Sequence, residues 1–576
     1  MRTISIILGL LFILLNNVAF AQSPDGLASW GRDSSGDLSV KKIVTENIKF
    51  SADLGSSGEL YGVSGRPSQR PGSSGRTFFR PSINLFDKVN INFEFFLSTE
   101  GNGSRQDINT ATFNPEWSWG KLYYGDFTIP VSKFTISDVK VTGYGIDLFP
   151  GIFKLVAFSG KSQKAIAADP TSSMYERTIY GGKIGLGDEG GSHFHINFLR
   201  AYDNINSLNR NIFKKIDTVT AAGGSRIDTN YVGVTPQENL ITDVNWGLHM
   251  FNSKLKIKAE LAISLYTSDL FSKTVDSKDV PKELGKYYTP RATSSGDFAF
   301  SSDISYSGST VNLKSGYTMV GPGYTSLGLG SVINDKQIIM GGIGLNLFSG
   351  NLNIQTTVQK QNDNLAKQKI YTTDRNNISF MVTGRPSSSL SLTLNTNVNT
   401  IGNNALNDTL KLDLLSATYG LTGNYSFNAF KLKHVLNMGY NSQLSQSKNI
   451  VTGGSKVGAT SVTFGVSTDY TEHLNSNIAA NFNKVDAGSG GQNSTQAYNG
   501  QVNYKMFDNR LNSGFSYSLQ NSDASVSHVL MVRASYQIVE QSSITFQTRV
   551  TFFNGKGANA FSYKERSSTL DWSYRF

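Results

Sequence analysis

The sequence predicts an all-β protein: one large up-and-down antiparallel transmembrane β-barrel of about 26 strands, or about 24 to 28 if one hairpin is misplaced. Three observations predict this fold. Segments of about ten residues alternate apolar and polar side chains along most of the chain. Short turns and longer polar connections follow one another in regular order. The composition, with 56 Gly, 11% aromatic and only 17% charged residues, favours strands and turns over helices.

The composition also excludes several kinds of site and anchor. The chain of 576 residues contains no Cys. Disulfide frameworks, iron–sulfur ligation, cysteine zinc sites and thiol nucleophiles are therefore excluded. A lipoprotein anchor is excluded as well, because the lipid is attached to a Cys. The net charge of +10 leaves an acidic ligand or partner open.

Residues 1–21 are predicted to be a signal peptide. Arg2 precedes an apolar run over residues 4–15, which is too short to span a bilayer as a helix. Small residues then lead to Ala21 and Gln22, where cleavage is expected. The alternative for this segment is a buried N-terminal helix.

The remainder of the chain is predicted to have two parts. Residues 22–46 form a short periplasmic N-terminal segment, and residues 47–576 form the barrel. No stretch after the signal peptide approaches about 18 consecutive apolar residues, so no transmembrane helix is expected.

Each predicted strand has one apolar and one hydrophilic face. Around residue 392, for example, Leu390, Leu392 and Leu394 alternate with Ser391 and Thr393. Successive side chains of a strand point to opposite faces, so the leucines share one face. A soluble β-sandwich also alternates in this way, so alternation alone does not separate the two folds.

The order of the connections separates them. Short turns are predicted near residues 87–88, 120–121, 150–151, 187–191, 252–253, 308–309, 349–350, 386–388, 428–429, 471–473, 508–509 and 540–541. Connections between them are usually longer, as at residues 203–236, 268–296, 321–336, 362–373 and 442–459. Strict alternation places all short turns at one end of the sheet, which is typical of barrels with periplasmic turns and external loops.

The last strand carries a further pattern. Leu570, Trp572, Tyr574 and the terminal Phe576 alternate with polar residues. This ending resembles that of bacterial outer-membrane β-barrel proteins, and the Gly/Asn/Ser-rich strands resemble those of Bacteroidota-type bacteria; no subfamily is assigned. The resemblance implies outer-membrane localisation and a C-terminal assembly signal. It implies outer-membrane lipid, lipopolysaccharide and the barrel-assembly machinery as partners.

A basic set of residues is predicted to line the lumen. Its members lie on the polar sides of their strands: Lys183, Lys256, Lys258, Lys314, Lys431, Lys433, Lys505, Arg533 and Arg549. Glu94, Glu260 and Asp303 oppose them but are fewer. A positively lined channel concentrates anions, so weak anion preference or binding of an acidic glycan or peptide is one hypothesis. The alternative is that these charges pair across strands and solvate the wall.

The first external loop is predicted to be rich in Arg and Pro. It contains Arg66, Arg70, Arg76 and Arg80. Arg at this density suits phosphate or carboxylate groups, such as those of lipopolysaccharide. A solvated loop stiffened by proline is the alternative. Nucleic-acid binding is not expected, because no recognised reader motif is present.

The sequence offers no catalytic residues and no cofactor site. Gly160-Lys161-Ser162 is similar to the end of a P-loop, but Leu155 stands where its first Gly belongs. His193 and His195 share a strand face without obvious further metal ligands, so no metal site is predicted. The chain is expected not to be an enzyme.

The predicted function is that of an occluded or gated channel, transport or export component for hydrophilic substrates, anionic ones included. An empty barrel of this size would be a very wide pore. We therefore expect occlusion by the loops at residues 203–236 and 268–296, or by a lumenal or periplasmic plug partner. The alternative is a structural or surface-interaction barrel that presents external loops to glycans or proteins.

Overall fold

The computed structural model describes residues 48–576, apart from residues 101–107, 170, 210–213, 222–223, 232, 277–284, 450–453 and 558–559. The predicted signal peptide at residues 1–21, its cleavage site at Ala21 and Gln22, and the segment 22–46 lie outside the described residues. The barrel predicted from residue 47 has its first described strand at Ile48.

Within the described residues, 26 antiparallel strands form one closed sheet, which confirms the predicted fold. Each strand pairs with its neighbours in chain order, and the last pairs with the first. The strands are β1 Ile48–Ser64, β2 Ser73–Leu85, β3 Val89–Ser98, β4 Thr110–Trp117, β5 Gly120–Thr128, β6 Lys140–Leu148, β7 Phe153–Gln163, β8 Arg177–Gly187, β9 His193–Asp203, β10 Glu238–Met250, β11 Leu255–Thr267, β12 Ser294–Ser307, β13 Val311–Val320, β14 Lys336–Leu347, β15 Leu352–Asp363, β16 Thr373–Ser387, β17 Leu390–Asn403, β18 Asp413–Ala429, β19 Leu432–Ser447, β20 Ser455–Asp469, β21 Leu474–Asp486, β22 Gln492–Met506, β23 Leu511–Ser522, β24 Ser525–Val539, β25 Ser542–Gly555 and β26 Ser562–Arg575.

The two faces of the sheet differ as the alternation predicts. On β9, Phe194 and Ile196 are exposed on one face, whereas His195 and Asn197 on the other are fully buried. Exposed apolar side chains recur on the same outward face around the barrel, as at Leu261. A band of this kind faces lipid in a transmembrane barrel. No helix in the described part of the chain is long and apolar enough to span a membrane.

The C-terminal strand completes the outward apolar face. Leu570, Trp572 and Tyr574 share this face of β26, and Leu570 is exposed. The Phe576 ring lies 5.5 Å from that of Phe50 between centroids, so the end of the chain packs against the start of β1. The predicted assembly signal therefore lies at the seam where the barrel closes.

The seam between β1 and β26 is paired from Asp53 opposite Arg575 to Ser64 opposite Lys564. An open edge in lipid would leave backbone groups unpaired at a cost of several kcal/mol each. Inward-facing charges alternate in sign across four adjacent strands at this seam: Glu94 on β3, Arg80 on β2, Asp53 on β1 and Arg575 on β26. We call these four residues the charge ladder. Arg80 Nη2 lies 2.8 Å from Glu94 Oε1, and Arg575 Nε lies 2.6 Å from Asp53 Oδ1.

Short turns lie at one end of the barrel and usually longer connections at the other, as predicted, but these connections shorten towards the C-terminus. Residues 523–524 form a two-residue connection at the loop end. The predicted loop at 442–459 shrinks to residues 448–454, because the flanking strands extend to Ser447 and from Ser455. Polar residues in these long strands make them resemble loops in sequence.

Candidate functional site

Two connections at the loop end fold back onto the inner wall of the barrel. They are residues 129–139, between β5 and β6, and residues 321–335, between β13 and β14. They pair in parallel with each other through Ile136–Ser137 and Gly328–Leu329. We call these two segments together the strap. The strap packs on the side chains that alternate with the exposed lipid-facing ones, so it lies inside the barrel.

The strap buries an apolar cluster against the wall. Its side chains Ile129, Val131, Phe134, Ile136 and Tyr324 are at most 5% exposed, and they pack with wall residues Phe127, Val141, Val156, Phe158, Ile179, Leu199, Ala201, Ile241, Ala262, Ala299 and Val320. Burying an apolar side chain of medium or large size contributes about 1.5–3 kcal/mol. The inner wall therefore carries an apolar surface where the strap docks.

Two buried carboxylates lie beneath the strap. Asp243 on β10 is 1% exposed and Glu260 on β11 is 9% exposed. Ser132 Oγ donates to Asp243 Oδ2 at 2.7 Å, and the Phe134 backbone N–H donates to Glu260 Oε1 at 2.9 Å. Asn197 Nδ2 donates to the other Asp243 oxygen at 2.5 Å. Because buried carboxylates need such donors, the docked strap satisfies groups that would otherwise be unpaired.

The second segment of the strap holds the first in place. The Tyr324 hydroxyl donates to Phe134 O at 2.8 Å, and Ser326 Oγ donates to Thr135 O at 2.5 Å. Asn239 of β10 is fully buried and donates to the backbone of the second segment at 3.1 Å. The strap is thus bonded internally and to the wall.

An ion pair ties the strap to an external loop. Asp335, the last residue of the strap, lies 2.5 Å from Nζ of Lys369 in the loop of residues 364–372. Asp335 also accepts from the Leu365 backbone N–H at 2.8 Å. We call the Asp335–Lys369 pair the latch. Burial opposes ionisation of Asp335, but hydrogen bonds from Lys369 and Leu365 outweigh it and lower the pKa of Asp335. The hydrogen bond to Asp335 raises the pKa of Lys369.

The predicted basic set lies mostly inside the barrel. Register and alternation place Lys183, Lys256, Lys258, Lys314, Lys433, Lys505, Arg533 and Arg549 on the inward face. The prediction was wrong for Lys431, which lies in the turn after β18 with a φ of 61°. The turn comes two residues later than predicted because β18 runs to Ala429.

The inward cations differ in how they are compensated. Lys183 pairs with Glu189 of a short turn, and Lys258 Nζ donates to the Glu189 carbonyl at 3.2 Å. Lys154 lies 2.6 Å from Asp147. The two carboxylate pairs each offset one positive charge on the N-terminal side of the lumen, whereas the contact of Lys258 with a carbonyl does not.

The predicted Arg-Pro loop is shorter than expected. The connection between β1 and β2 spans residues 65–72, so Arg76 and Arg80 are not in it. Both lie in β2, because the strand continues beyond the proline-containing segment, and both face the lumen. Arg76 lies 3.1 Å from Glu100, and Arg80 belongs to the charge ladder.

The two arginines that remain in this loop pack on the seam. Arg66 Nη2 lies 2.7 Å from Glu565 Oε2, with its guanidinium 4.1 Å from the Tyr563 ring centroid. Arg70 lies 3.5 Å from Glu59. Since both have carboxylate partners within the chain, they are less suited to lipopolysaccharide phosphates than the sequence suggested.

The wall formed by β16–β23 is lined by amides and hydroxyls. Its inward side chains bond to one another across strands: Asn481 Nδ2 donates to Thr463 Oγ1 at 2.8 Å, and Asn477 Nδ2 donates to Ser467 Oγ at 2.7 Å. Further inward members of this wall are Asn377, Ser379, Thr393, Asn395, Asn397, Asn399, Thr418, Thr422, Asn424, Asn437, Asn441, Asn475, Asn483, Asn499, Gln501 and Asn503. We call this surface the amide wall.

The loops predicted to fold inward contact each other at the external end. Leu208 packs with Val234 and with residues of two neighbouring loops. Thr235 Oγ1 donates to Ser268 O at 2.6 Å. Occlusion by residues 203–236 and 268–296 therefore stays a prediction, whereas the strap is the inward segment that the structure describes.

The two histidines of β9 serve local contacts. The rings of His193 and His195 stack with centroids 4.8 Å apart, and His195 Nε2 lies 3.0 Å from Gly187 O. Among the described residues, no group of three or more His, Asp or Glu side chains is placed to hold a metal ion.

A closed barrel with an apolar outer face and a largely polar lumen is now established. This is the architecture of a transmembrane β-barrel. The structure is similar to an iron transporter, FrpB, from Neisseria meningitidis, with 9% identity over 94% of this chain and 83% of that one and a TM-score of 0.40. It is also similar to the ferric citrate transporter FecA, with 10% identity over 92% and 78% of the two chains and a TM-score of 0.35.

A third similar structure is the translocation pore of the P pilus usher PapC, with 9% identity over 92% of this chain and 99% of that one and a TM-score of 0.26. No protein-family model and no curated protein matches the sequence. The function is therefore to be inferred from this chain's own lumen.

Proposed function

We propose that the protein is a gated outer-membrane channel for hydrophilic solutes and that the strap is its gate. The strap itself is the observation that carries the proposal. Two loops that could extend outside are instead bonded to the inner wall through buried carboxylates and an apolar cluster. The amide wall is left exposed to water, which suits a hydrated path for solutes.

We propose only a weak anion preference for this path. Most inward cations of the N-terminal side are paired, so they add little to the potential. Lys505, Arg533 and Arg549 are exposed on the opposite side and form no ion pair within 4.0 Å among the described residues. The reversal potential in a salt gradient measures this preference, and cation selectivity would contradict it.

Replacing residues 130–138 with a Gly-Ser segment of equal length tests the gate. The replacement removes Val131, Phe134 and Ile136 together with both carboxylate contacts. We expect the single-channel conductance in planar bilayers to rise several-fold, because the strap no longer narrows the lumen. The matched control replaces residues 404–412, which form the loop between β17 and β18. This loop has the same length as the segment 130–138.

The control should leave the conductance unchanged. Equal conductance of the strap variant and the native protein would show that the strap is not the gate. Absence of any channel in both would overturn the proposed function itself.

A surface-interaction role is the second candidate, and the packing of the external loops around Tyr175 and Leu208 favours it. An ordered loop cluster could present a fixed surface to a glycan or protein. Deleting residues 214–231 should then abolish adhesion without altering conductance. A stoichiometric lumenal or periplasmic partner in purified material would instead favour an export component.

A further inference from the structure

A recess lies in the lumenal wall on the inward side of β21–β25. Its volume is about 490 Å³. The polar side chains that matter here are Gln501, Asn503, Lys505, Asn512, Arg533 and Gln547. Register places all of them on the inward face. We call this feature the basic recess.

Two cations flank the floor of the basic recess. Lys505 lies opposite Asn512 on β23, and Arg533 lies opposite Gly514 on the same strand. Gly514 has no side chain, and the amide of Asn503 lies over it, with Asn503 Oδ1 2.9 Å from where a Cβ of Gly514 would be. Both cations are exposed to the lumen, and in the described part of the chain neither has a carboxylate within 4.0 Å. Arg549, on the next strand, adds a third exposed charge beside Arg533.

Amide groups fill the space around these cations. Asn503 Nδ2 donates to Asn475 Oδ1 at 2.9 Å, and Gln501 Nε2 donates to Asn503 Oδ1 at 3.0 Å. Each primary amide has two donor hydrogens and an acceptor oxygen, so bonding capacity remains after these contacts. Gln547 extends this amide set on the far side of Arg533. A ligand in the recess would meet donors and acceptors together with positive charge.

The basic recess lies across the lumen from the strap. The apolar contacts of the strap extend over β5–β13, and its hydrogen bonds to Asp243 and Glu260 lie on β10 and β11. Strand β23 is half-way round the 26-strand barrel from β10. Asp243 and Glu260 under the strap, and Arg533 and Arg549 near the recess, all lie about seven residues from their short turns, which places them at similar depth. The recess is therefore open to a solute at the depth at which it passes the strap.

We propose that the basic recess binds carboxylated oligosaccharides as they pass the strap. The inference rests on the proposed function, because it places the recess on the solute path. Arg533 and Lys505 supply charge-assisted hydrogen bonds to carboxylates, and the surrounding amides bond to hydroxyl groups. Met531 is the apolar side chain of the lining that faces the lumen, so the recess lacks the aromatic and aliphatic anchors that peptides use.

Single-channel recording tests the proposal with a hexamer of mannuronic acid, and the neutral mannose hexamer is the matched probe. We expect the acidic hexamer to interrupt the current with residence times at least tenfold longer than those of the neutral one. The double variant Lys505→Gln/Arg533→Gln should shorten the residence time of the acidic hexamer by roughly tenfold or more, since each charged hydrogen bond is lost. The variant Asn503→Ala should shorten it as well.

The control variant is Lys433→Gln, which removes an inward charge from the amide wall outside the recess. If Lys433→Gln shortens the residence time as much as the double variant does, the effect is one of general charge, and the proposed binding site is overturned. A second outcome is that hexaglutamate binds as tightly as the mannuronic acid hexamer and that Asn503→Ala has no effect. That outcome would assign the recess to acidic peptides and overturn the proposal that it binds saccharides.

Calorimetric titration of the purified barrel with the acidic hexamer separates the two proposals. If binding depends on Arg533 but the protein conducts no current, the proposed channel function is overturned and the proposed binding site is supported. A conducting protein with equal residence times for both hexamers would keep the channel and overturn the site.

Discussion

Phe134 fixes the position of the strap through both its side chain and its backbone. The side chain is 5% exposed and packs edge-on against Tyr324, with ring centroids 6.1 Å apart. The backbone donates to Glu260 and accepts from the Tyr324 hydroxyl. One residue therefore contributes to the apolar cluster, to a buried carboxylate and to the contact between the two halves of the strap.

We expect Phe134→Ala to undock the strap while leaving the barrel intact. Truncating a buried Phe to Ala destabilises the packed state by about 3–5 kcal/mol. Here the loss weakens docking of the strap rather than the sheet, because the strands keep their own hydrogen bonds. Bilayer recordings should show a larger open-channel conductance. Ile333→Ala is the control, because Ile333 belongs to the strap but is 67% exposed. Equal conductance of native protein and Phe134→Ala would contradict the role of this side chain.

At the scale of elements, the latch joins a lumenal segment to an external loop. Asp335 closes the strap, and Lys369 belongs to the connection between β15 and β16. Lys369 also lies 3.7 Å from Asp363 at the end of β15. A change in the external loop can therefore reach the strap through one ion pair.

The latch should weaken in acid. Hydrogen bonds from Lys369 and Leu365 lower the pKa of Asp335 despite its burial, so its stabilising contribution is present above the ordinary value of about 4. That contribution is lost as the pH falls through the lowered pKa. Pairing with Asp335 raises the pKa of Lys369, so this partner stays charged up to about pH 10. We expect channel opening to increase when recordings move from neutral pH to about pH 3.

The variant Lys369→Gln should open at neutral pH and respond less to acid. Lys367→Gln is the matched control, since it removes a charge from the same loop but not from the latch. An acid response that is the same in Lys369→Gln and in the native protein would exclude the latch as its source.

At the scale of the whole molecule, the sequence predicted the barrel but not the strap that lies inside it. Alternation, turn order and the final aromatic strand were enough for the strand number, the closure and the inward face of most basic residues. The strap was missed because the inward positions of Ile179, Leu199 and Ile241 are apolar, so β8–β10 resemble fully buried strands. This departure from alternation was a signal, but it does not say which distant loop covers those residues. The partner of Arg66 was missed for a similar reason, because Glu565 lies on β26, which meets β1 only when the barrel closes.

Closure itself should depend on the charge ladder. In Asp53→Arg, the new guanidinium would lie between Arg80 and Arg575, and like charges directly opposite on neighbouring strands destabilise a sheet. We expect the folded form to be lost at a lower temperature on semi-native gels. Asp53→Asn should have a smaller effect, because exposed pairs contribute only about 0–1 kcal/mol.

The control for this prediction is Asn441→Arg, which adds the same charge to the inward face of β19, remote from the seam and beside uncharged neighbours. Equal loss of thermal resistance in Asp53→Arg and in this control would show that the position of the charge at the seam is unimportant.

The strap also constrains the order of events when the protein is made. Tyr324 and Phe134, which bond to each other in the docked strap, are 190 residues apart in the chain. The first half of the strap cannot find its final partners until β10, β11 and β13 have been added to the growing sheet. Long-range contacts of this kind form late in folding. A newly inserted barrel should therefore pass through a stage in which the lumen is unobstructed. The time that the strap needs to dock determines how long the pore stays open.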